Sequence, residues 1–454
     1  MTNFDLIVVG AGSGLEVSSQ AANSGMSVAI VEEGPFGGTC LNRGCIPSKI
    51  LIYCADVMEI IKNSATFGIN ARVESVDWDF MMSRAYQEID SDALAIETVN
   101  KDNKNITVFN GTGHFTGEKT LEVNGQNITA NTIVIAAGTR PFIPDIPGLE
   151  DVPFITSDEA LRLPKQPKRL TIIGGGYIAA EMAHFFGAMG TDVTIVQRHN
   201  LLLRTEDEDV SQRFTEIYQR KFNLLLNAQI QKAYMDSNGI ALDVLVDGET
   251  ETIISDSLML ATGRIPNSDR LQVSNTGVEV DQMGFIKTDG YLETGVRGIW
   301  ALGDIAGKYM LKHSANLEAA HVAHNALNRA QRVAVDYRAM PHAIFGSPQV
   351  ASVGITERQS KEEHIHCLTA TYSYYNTAYG SSLEDRDGFV KVLAHPEDGE
   401  ILGCHIIGQN ASMLIQEVAN AMRLRLPSDA ITQSIYVHPA LPEVVQRAFG
   451  EIQR

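Results

Sequence analysis

An apolar run that ends in closely spaced glycines opens this chain, and it constrains the fold more than any other feature. Residues 4–9 predict a strand that leads into a tight turn at Gly10. Gly12 and Gly14 continue that turn into a helix, and Glu32 follows at the end of the next apolar strand. In such a unit the bare backbone approaches a pyrophosphate at the helix N-terminus, and the acid accepts hydrogen bonds from ribose hydroxyls. The segment is therefore predicted to bind a dinucleotide.

The same arrangement recurs near the middle of the chain. Residues 170–173 predict a strand that leads into Gly174 and Gly176, and another helix and apolar strand follow. Ala179 is the accepted alternative to a third glycine in this second copy, whereas Leu15 occupies that position in the first. We expect Leu15 to shift its helix outward slightly rather than to abolish binding. The sequence thus predicts two nucleotide sites.

Three further apolar strands end in small residues, as strands that meet a bound cofactor do. They end at Gly138, at Gly263 and at Gly303 with Asp304. Prolines mark crossovers on both sides of the second glycine pattern, which predicts an α/β fold with one Rossmann-like domain inserted in another. From Tyr337 onward the chain has strands and then helices without a glycine pattern, which indicates a separate α+β domain. The predicted domains are 1–145 with 269–336, 146–268, and 337–454.

Composition excludes several classes of function. The 454 residues include 36 Lys and Arg against 55 Asp and Glu, a formal net charge of −19. Such an acidic surface repels nucleic-acid phosphates and anionic lipids, so we expect neither nucleic acid nor a membrane as partner. No uncharged apolar run approaches the ~20 residues of a membrane helix, and the N-terminus carries no signal-peptide pattern. These features predict a cytoplasmic protein.

Two of the five cysteines, Cys40 and Cys45, lie close together soon after Glu32. In an ideal helix this spacing separates them by ~7.5 Å along the axis and ~140° around it. A disulfide needs Cα atoms about 4.4–6.8 Å apart, so a bonded pair requires a distorted segment. Gly44 gives the backbone freedom for such a distortion, and Pro47 suits the first turn of a helix. A strained pair at a helix N-terminus is easily reduced, which predicts a redox-active pair.

Two alternatives remain for the cysteine pair: inert core thiols, or half of a zinc site. Zinc would need two more ligands at a suitable spacing, and none lies nearby in the sequence, so we expect no metal site. Cys54 lies in an apolar helical stretch, and Cys367 and Cys404 lie in strand-like segments without a neighbouring cysteine. We expect no redox role for these three.

The motifs together resemble one enzyme family. Residues 37–49 read Gly-Gly-Thr-Cys-Leu-Asn-Arg-Gly-Cys-Ile-Pro-Ser-Lys, residues 261–267 read Ala-Thr-Gly-Arg-Ile-Pro-Asn, and residues 438–443 read His-Pro-Ala-Leu-Pro-Glu. With the two glycine patterns, they resemble the class I flavoprotein disulfide reductases over almost the whole chain. The resemblance implies FAD at the first nucleotide site and NAD(P)H at the second. It also implies a homodimer, formed through the C-terminal domain, in which the partner subunit completes the active site.

The resemblance also implies roles for single residues. Cys45 resembles the sulfur beside the flavin, and Cys40 the sulfur that attacks the substrate. His438 of the partner subunit resembles the acid–base histidine, with Glu443 as its orienting carboxylate. Lys49 and Glu181 resemble an ion pair near the flavin, Tyr177 a ring that gates the nicotinamide pocket, and Asp304 a carboxylate that holds the ribityl chain. The glycine patterns and the resemblance together predict these cofactor-binding positions: Gly10, Gly12, Gly14, Glu32, Gly38, Thr39, Gly138, Gly174, Gly176, Tyr177, Ile178, Arg198, Arg204, Gly263, Gly303 and Asp304.

The end of the second ribose-binding strand predicts which nicotinamide nucleotide is used. An NAD site would carry an acid there, but this chain has Gln197, followed by Arg198 and Arg204. A neutral residue removes repulsion, and the two arginines supply charge-assisted donors for a 2′-phosphate. The pattern favours NADPH over NADH. The alternative is that both arginines only offset the acidic run at residues 206–209.

The substrate class follows from resemblance alone. Gln20 stands where glutathione reductases carry an arginine, and no cysteine follows Cys404 to form a second redox pair. Residues 309–316, 377–385 and 411–416 resemble mycothione reductases. We therefore predict an NADPH-dependent reductase of a low-molecular-weight disulfide that maintains thiol redox balance. An NAD-linked dihydrolipoamide dehydrogenase is the alternative, because its active-site loop is equally similar, and a redox-silent flavoprotein binding module is a third.

Overall fold

The structure is a computed structural model that describes residues 2–452, within which the chain forms 21 strands and 13 α-helices. In chain order the strands are β1 (Thr2–Val9), β2 (Val28–Glu32), β3 (Ile106–Asn110), β4 (Gly113–Gly117), β5 (Thr120–Val123), β6 (Gln126–Ile135), β7 (Thr139–Pro141), β8 (Arg169–Ile173), β9 (Asp192–Val196), β10 (Asn223–Leu225), β11 (Gln229–Asp236), β12 (Gly239–Val246), β13 (Glu249–Ser255), β14 (Ser257–Leu260), β15 (Arg264–Pro266), β16 (Ile299–Ala301), β17 (His342–Ile344), β18 (Gln349–Gly354), β19 (Leu368–Ser373), β20 (Phe389–Ala394) and β21 (Ile401–Gly408).

The helices connect these strands and cover the sheets. In chain order they are α1 (Gly14–Asn23), α2 (Gly38–Arg43), α3 (Cys45–Asn63), α4 (Trp78–Asp102), α5 (Ser157–Ala160), α6 (Tyr177–Ala188), α7 (Glu208–Lys221), α8 (Lys312–Leu327), α9 (Glu357–Glu362), α10 (Ala378–Ser382), α11 (Ala411–Arg423), α12 (Asp429–Thr432) and α13 (Glu443–Gly450). No helix within residues 2–452 is long and apolar enough to span a membrane.

The N-terminal sheet has seven strands, in the order β3-β2-β1-β6-β5-β4, with β16 paired to β6. Strands β1, β2, β3, β6 and β16 run parallel, and β4 and β5 form an antiparallel extension. Strand β16 joins this sheet although the middle of the chain forms other sheets in between. The N-terminal sheet therefore draws on both sides of an intervening segment.

That segment forms the middle sheet, four parallel strands in the order β10-β9-β8-β14. A three-stranded antiparallel sheet, β11-β12-β13, lies between β10 and β14 in the chain, and the short pair β7 and β15 connects the segment to the rest. Parallel sheets whose strands are buried on both faces read as continuous apolar runs. This explains why β8 and β14 are apolar over most of their length and almost wholly buried.

The C-terminal sheet has five antiparallel strands in the order β17-β18-β21-β20-β19. Helices α11 and α13 cover it, and a core that includes Tyr374, Ile406 and Val444 lies between them. Its other side shares an apolar cluster with α6 and α7, in which Tyr218 and Phe214 meet Ile344. The predicted fold class is confirmed: parallel Rossmann-like cores followed by an antiparallel sheet with helices. The domain boundaries at 145, 268 and 336 stay a prediction.

A half-buried ion pair links the loop that follows β9 of the middle sheet to the C-terminal sheet. His342 on β17 places its Nε2 atom 2.7 Å from a carboxylate oxygen of Glu206, which is buried. Burial opposes the charged form of His342, but the hydrogen bond and charge of Glu206 outweigh it and raise the pKa of His342. Burial likewise opposes the charge on Glu206, yet its hydrogen bond to His342 leaves the pKa of Glu206 below its ordinary value.

We expect the substitution His342→Gln to destabilise the protein more at pH 6 than at pH 9. A raised histidine pKa gives stability that is present below the unfolded value of about 6.5 and lost as the pH rises through the folded value. Because the His342 side chain is 35% exposed, we expect a loss of only about 1 kcal/mol at pH 6. Thermal unfolding at both pH values measures this, with His366→Gln, an exposed histidine of the same region, as control. An equal loss at both pH values would contradict it.

Candidate functional site

One cleft of about 2200 Å³ gathers residues from all three large sheets and their connections. Of the predicted site residues, Gly14, His438 and Glu443 do not line it. The predicted residues that do line it are Gly10, Gly12, Glu32, Gly38, Thr39, Cys40, Cys45, Lys49, Gly138, Gly174, Gly176, Tyr177, Ile178, Glu181, Arg198, Arg204, Gly263, Gly303 and Asp304.

The first glycine turn has no room for side chains. Gly10 has a φ of +103°, and a Cβ atom there would lie 2.4 Å from the Ala136 carbonyl oxygen. A Cβ on Gly38 would lie 2.8 Å from the Cα atom of Gly12, so the two backbones touch across the cleft wall. This close approach leaves peptide groups bare at the start of α1. Such a surface fits the pyrophosphate of a dinucleotide.

Glu32 ends β2 beside that turn. Its two carboxylate oxygens accept hydrogen bonds from the backbone N–H groups of Ala11, at 2.6 Å, and Gly34, at 2.8 Å. Burial raises the pKa of Glu32, although these two hydrogen bonds oppose the shift. The carboxylate is thus held at the strand end, where a ribose would lie.

Gly14 has a packing role in this structure. A Cβ atom there would lie 2.8 Å from the Val8 side chain and 2.9 Å from Ala136 Cβ, so glycine lets α1 pack closely on β1. This is the task of the third glycine in such units, and Gly14 performs it one residue before Leu15. The predicted contact of Gly14 with a cofactor stays a prediction.

A hydrogen-bonded turn presents Asp304 to the cleft. The Gly303 N–H donates to Glu318 at 2.6 Å, and the Thr139 hydroxyl donates to Asp304 at 3.1 Å. Burial raises the pKa of Asp304. Glu318, which is fully buried on α8, was not predicted from sequence. Its helix carries no local pattern that indicates this contact.

The two cysteines lie on successive helices rather than on one. Helix α2 ends before Gly44, and Cys45 is the first residue of the 19-residue helix α3. A Cβ atom on Gly44 would lie 2.8 Å from the Thr39 carbonyl oxygen, so this break requires glycine. The break supplies the distortion that the spacing of Cys40 and Cys45 requires. Both residues are free thiols here.

The electrostatics of the two thiols differ. The hydrogen bond from Cys40 is the largest influence on Cys45, and with the charge of Lys49 it lowers the pKa of Cys45 to about 7 against the effect of burial. The same hydrogen bond, together with burial, raises the pKa of Cys40. Helix α3 adds the positive end of its dipole at Cys45. The first thiolate of the pair therefore forms on Cys45.

Lys49 extends from α3 to α6. Its Nζ atom lies 2.8 Å from both carboxylate oxygens of Glu181 and 4.4 Å from the centre of the Phe345 ring. Glu181 is buried and also accepts a hydrogen bond of 3.0 Å from the Phe345 backbone N–H. The predicted pair of Lys49 and Glu181 is present, and Phe345 adds a third partner that the sequence pattern does not indicate.

The second glycine turn faces the same cleft. A Cβ atom on Gly174, whose φ is +122°, would lie 2.2 Å from the Ala261 carbonyl oxygen, and one on Gly175 would lie 2.4 Å from Gln197 Nε2. Gln197 is buried against this turn. Tyr177 begins α6 at the cleft and is partly exposed. The turn therefore has the close backbone contacts that a second nucleotide site requires.

Arg198 and Arg204 lie on the cleft wall close to His199. Burial and the positive charges of Arg204 and Arg198 lower the pKa of His199, so both guanidinium groups act on one ring. Within residues 2–452, neither arginine has a carboxylate at ion-pairing distance. Of the acids in residues 206–209, Glu206 binds His342 and Ser352, and Asp207 and Asp209 bind Lys391, which argues against the interpretation that the arginines only offset this run.

His438 and Glu443 form a pair outside the cleft of their own chain. His438 Nδ1 lies 2.9 Å from Glu443, which also accepts a hydrogen bond of 3.0 Å from the Ala440 N–H. The hydrogen bond to His438 lowers the pKa of Glu443. The His438 side chain is 71% exposed. With Nδ1 bound to the carboxylate, Nε2 is left to face outward.

Lys312 and Arg264 also line the cleft, although they were not among the predicted sites. Lys312 Nζ donates a hydrogen bond of 2.8 Å to the Ser13 hydroxyl oxygen, and its positive charge lowers the pKa of Cys40 against the larger effects of Cys45 and burial. Arg264 donates to the hydroxyl and carbonyl oxygens of Thr139, both at 2.8 Å. Arg264 directly follows Gly263, which ends a strand that is predicted to meet a cofactor. This position in the sequence is the signal that could have identified Arg264.

We expect alkylation of Cys45 in the reduced protein to follow a pH profile with its midpoint near 7. Iodoacetamide reacts with the thiolate, so the rate rises as Cys45 deprotonates. Because the hydrogen bond from Cys40 is the largest cause of the low value, Cys40→Ala should move the midpoint up toward the ordinary value of about 8.5. Mass spectrometry assigns the modified site, and Cys54→Ala serves as control. An unchanged midpoint in Cys40→Ala would refute this assignment.

Comparisons with known proteins identify the family. The model of the pyridine nucleotide-disulphide oxidoreductases matches residues 4–326, and the model of their dimerisation domain matches residues 340–449. Mycothione reductase from Mycobacterium tuberculosis is 39% identical over 459 aligned positions, which cover 99% of each chain. Dihydrolipoyl dehydrogenase from Corynebacterium glutamicum is 35% identical and covers 98% of this chain and 97% of its own.

A solved structure has the same fold over its full length. The Cu(II) complex of the HOCl-induced flavoprotein disulfide reductase RclA from Escherichia coli aligns with a TM-score of 0.88 and 26% identity, and the alignment covers 100% of both chains. The family that the sequence motifs predict is thereby confirmed. The chain belongs to the pyridine nucleotide-disulphide oxidoreductases.

Proposed function

We propose that this protein is an FAD-dependent enzyme that passes electrons from NADPH to a low-molecular-weight disulfide, in the manner of a mycothione reductase. One observation carries the proposal. The Cys40 and Cys45 dithiol, with the pKa of Cys45 lowered to about 7, lies in the same cleft as both glycine turns. A thiolate that forms near neutral pH is the reactive species in thiol–disulfide exchange. The 39% identity to a mycothione reductase supports this substrate class.

The residues of the first site fit FAD. The bare backbone at Gly10 and Gly12 would hold the pyrophosphate, Glu32 the ribose, and Asp304 the ribityl chain. When bound, FAD would supply two-electron transfer between a nicotinamide and the dithiol. Lys49 places a positive charge between helix α3 and helix α6 of the second site, and the carboxylate of Glu181 balances that charge.

Side chains of the protein carry out the thiol–disulfide exchange with the substrate. Cys40 attacks one sulfur of the substrate, and His438 of the partner subunit accepts the Cys40 proton and gives it to the departing thiol. Cys45 then attacks the sulfur of Cys40 in the mixed disulfide and releases the second thiol, which takes up a proton. The two electrons of the dithiol have then reduced the substrate, and Cys40 and Cys45 share a disulfide. Removal of the Cys40 proton by a base is needed because the pKa of Cys40 is raised.

A homodimer would bring that histidine to the cleft. In the single chain His438 does not line the cleft that holds Cys40 and Cys45, and its neighbours Ile435 and Val437 are exposed apolar side chains. The dimerisation-domain match over residues 340–449 includes all three. We therefore assign this exposed segment to the contact with a second copy.

A dihydrolipoamide dehydrogenase is the second candidate function. The 35% identity to the Corynebacterium glutamicum enzyme supports it, because that relative is covered almost completely. Such an enzyme would run the same dithiol chemistry in the opposite direction, toward NAD. Gln197, Arg198 and Arg204 favour NADPH, since a 2′-phosphate would meet two cations without a carboxylate partner.

A panel of nucleotides and disulfides separates the two candidates. We expect the holoenzyme to reduce mycothiol disulfide with NADPH at a higher kcat/KM than it reduces glutathione disulfide, or lipoamide with NADH. Arg198 and Arg204 are the reason to expect NADPH, and Gln20 is the reason to expect a disulfide other than glutathione disulfide. Steady-state kinetics measures all combinations. Faster turnover of dihydrolipoamide with NAD than of any disulfide with NADPH would establish the second candidate.

The substitution Cys40→Ser separates the two half-reactions. We expect the flavin of this variant to be reduced by NADPH as in the parent, since Cys40 takes no part in that step. Disulfide turnover should fall by on the order of a thousandfold or more, because the attacking sulfur is lost. Stopped-flow absorbance follows the flavin, and Cys54→Ser is the control. Loss of both half-reactions together would contradict the assigned order.

A further inference from the structure

The loop between β9 and α7, residues 197–207, carries charges of both signs. We call it the arginine loop. Arg198 and Arg204 line the cleft and are exposed. Glu206 also borders the cleft but is buried, and Asp207 is buried and does not line it. Residues 206 and 207 follow Arg204 by two and three positions, at most about 7 Å and about 11 Å of extended chain, which is comparable to the screening length of about 8 Å at physiological ionic strength. An uncompensated acid at residue 206 or 207 would therefore repel a phosphate bound by Arg204.

The C-terminal sheet compensates the first acid. The Ser352 hydroxyl on β18 donates a hydrogen bond of 2.7 Å to Glu206, whose carboxylate also binds His342. Ser352 is buried and is itself in contact with His405, at 3.1 Å from Nδ1. The carboxylate of Glu206, at the border of the cleft, is therefore held by two side chains of the C-terminal sheet.

Lys391 on β20 pairs with Asp207, the second acid of the arginine loop. Its Nζ atom lies 2.9 Å from Asp207, 2.7 Å from Asp209 and 2.7 Å from Glu357. The Lys391 side chain is 3% exposed, so this is a buried cation shared by three carboxylates. The charges of these acids raise the pKa of Lys391 despite the effect of burial, and the lysine stays protonated. One lysine thus anchors the end of the arginine loop and the start of α7.

A backbone contact holds the loop at Arg204 itself. The Arg358 guanidinium on α9 donates a hydrogen bond of 3.1 Å to the carbonyl oxygen of Arg204. Ser352, Arg358 and Lys391 do not line the cleft. They act on the arginine loop from the side opposite to the cleft.

We propose that the C-terminal domain sets the preference for a 2′-phosphorylated nucleotide, because Ser352 and Lys391 take up the acidic charge of the arginine loop and leave Arg198 and Arg204 for the phosphate. This inference rests on the proposed use of NADPH. Ser352 and Lys391 are positioning residues, since they act through Glu206 and Asp207. The specificity of one domain is thereby determined by side chains of another.

Binding of NADP⁺ and NAD⁺ to the oxidised holoenzyme tests this, because the two ligands differ only in the 2′-phosphate. We expect Lys391→Met to raise the Kd of NADP⁺ about tenfold, as uncompensated acids near Arg204 repel the phosphate. The Kd of NAD⁺ should change less than about twofold, since it lacks that charge. Isothermal titration calorimetry measures both constants without turnover.

Ser352→Ala keeps the test decisive if Lys391→Met folds poorly, and a double variant and a control complete the set. Ser352→Ala removes only one donor and should raise the Kd of NADP⁺ about threefold to fivefold, with NAD⁺ unchanged. In Lys391→Met with Asp207→Asn, one acid is removed and Asn can still cap α7, so part of the NADP⁺ affinity should return. Arg423→Gln is the matched control, since this exposed arginine of the same domain donates to the Asp336 carbonyl oxygen, away from the loop.

The outcomes separate this inference from the proposed function. Arg204→Gln should weaken NADP⁺ binding; if it does not, or if the parent protein binds NAD⁺ as tightly as NADP⁺, the use of NADPH and the inference both fail. If Arg204→Gln weakens NADP⁺ binding but Ser352→Ala and Lys391→Met do not, only the inference fails. Equal weakening of NADP⁺ and NAD⁺ by Ser352→Ala would reduce Ser352 to a structural role and overturn the inference as well.

Discussion

The ion pair of Lys49 and Glu181 connects the parts of this protein on which the cleft depends. Lys49 lies on α3 shortly after Cys45, Glu181 lies on the helix of the second glycine turn, and the Phe345 N–H of the C-terminal region donates to the same carboxylate. A buried carboxylate is costly unless it is paired and hydrogen-bonded. Because each partner comes from a different part of the chain, the pair is satisfied only when all three are assembled. The cleft and the fold therefore form together.

The reactivity of the dithiol depends on a break in the backbone. Gly44 separates α2 from α3, and without it Cys40 and Cys45 would lie on different faces of one continuous helix. The break also makes Cys45 the first residue of a long helix, where the dipole favours a thiolate. One glycine thus brings the two sulfurs close enough for the hydrogen bond that does most to lower the pKa of Cys45, and it also places Cys45 at the start of a helix.

Much of this architecture could be predicted from local sequence. The two glycine turns, the strand ends at Gly138 and Gly303, and the cysteine pair are patterns of neighbouring residues whose geometry follows from backbone constraints. The packing role of Gly14 could not be predicted, because the third glycine of such a turn is expected one position later. The close approach of Gly14 to the Val8 side chain in the structure reveals this role. Glu318 and Phe345 could not be predicted, since their partners are distant in the chain and no periodicity marks them.

The acidic run at residues 206–209 shows where sequence reasoning ends. The sequence by itself determined two glycine turns, a close pair of cysteines and two arginines where a 2′-phosphate is expected, because each depends on residues close together in the chain. It could not decide whether the adjacent acids neutralise those arginines. Only the tertiary structure decided this, by placing Ser352 and Lys391, more than a hundred residues away, against Glu206 and Asp207. The side chains that pack against a loop decide which of its charges are neutralised. Local sequence does not encode this packing, because those side chains lie far away in the chain.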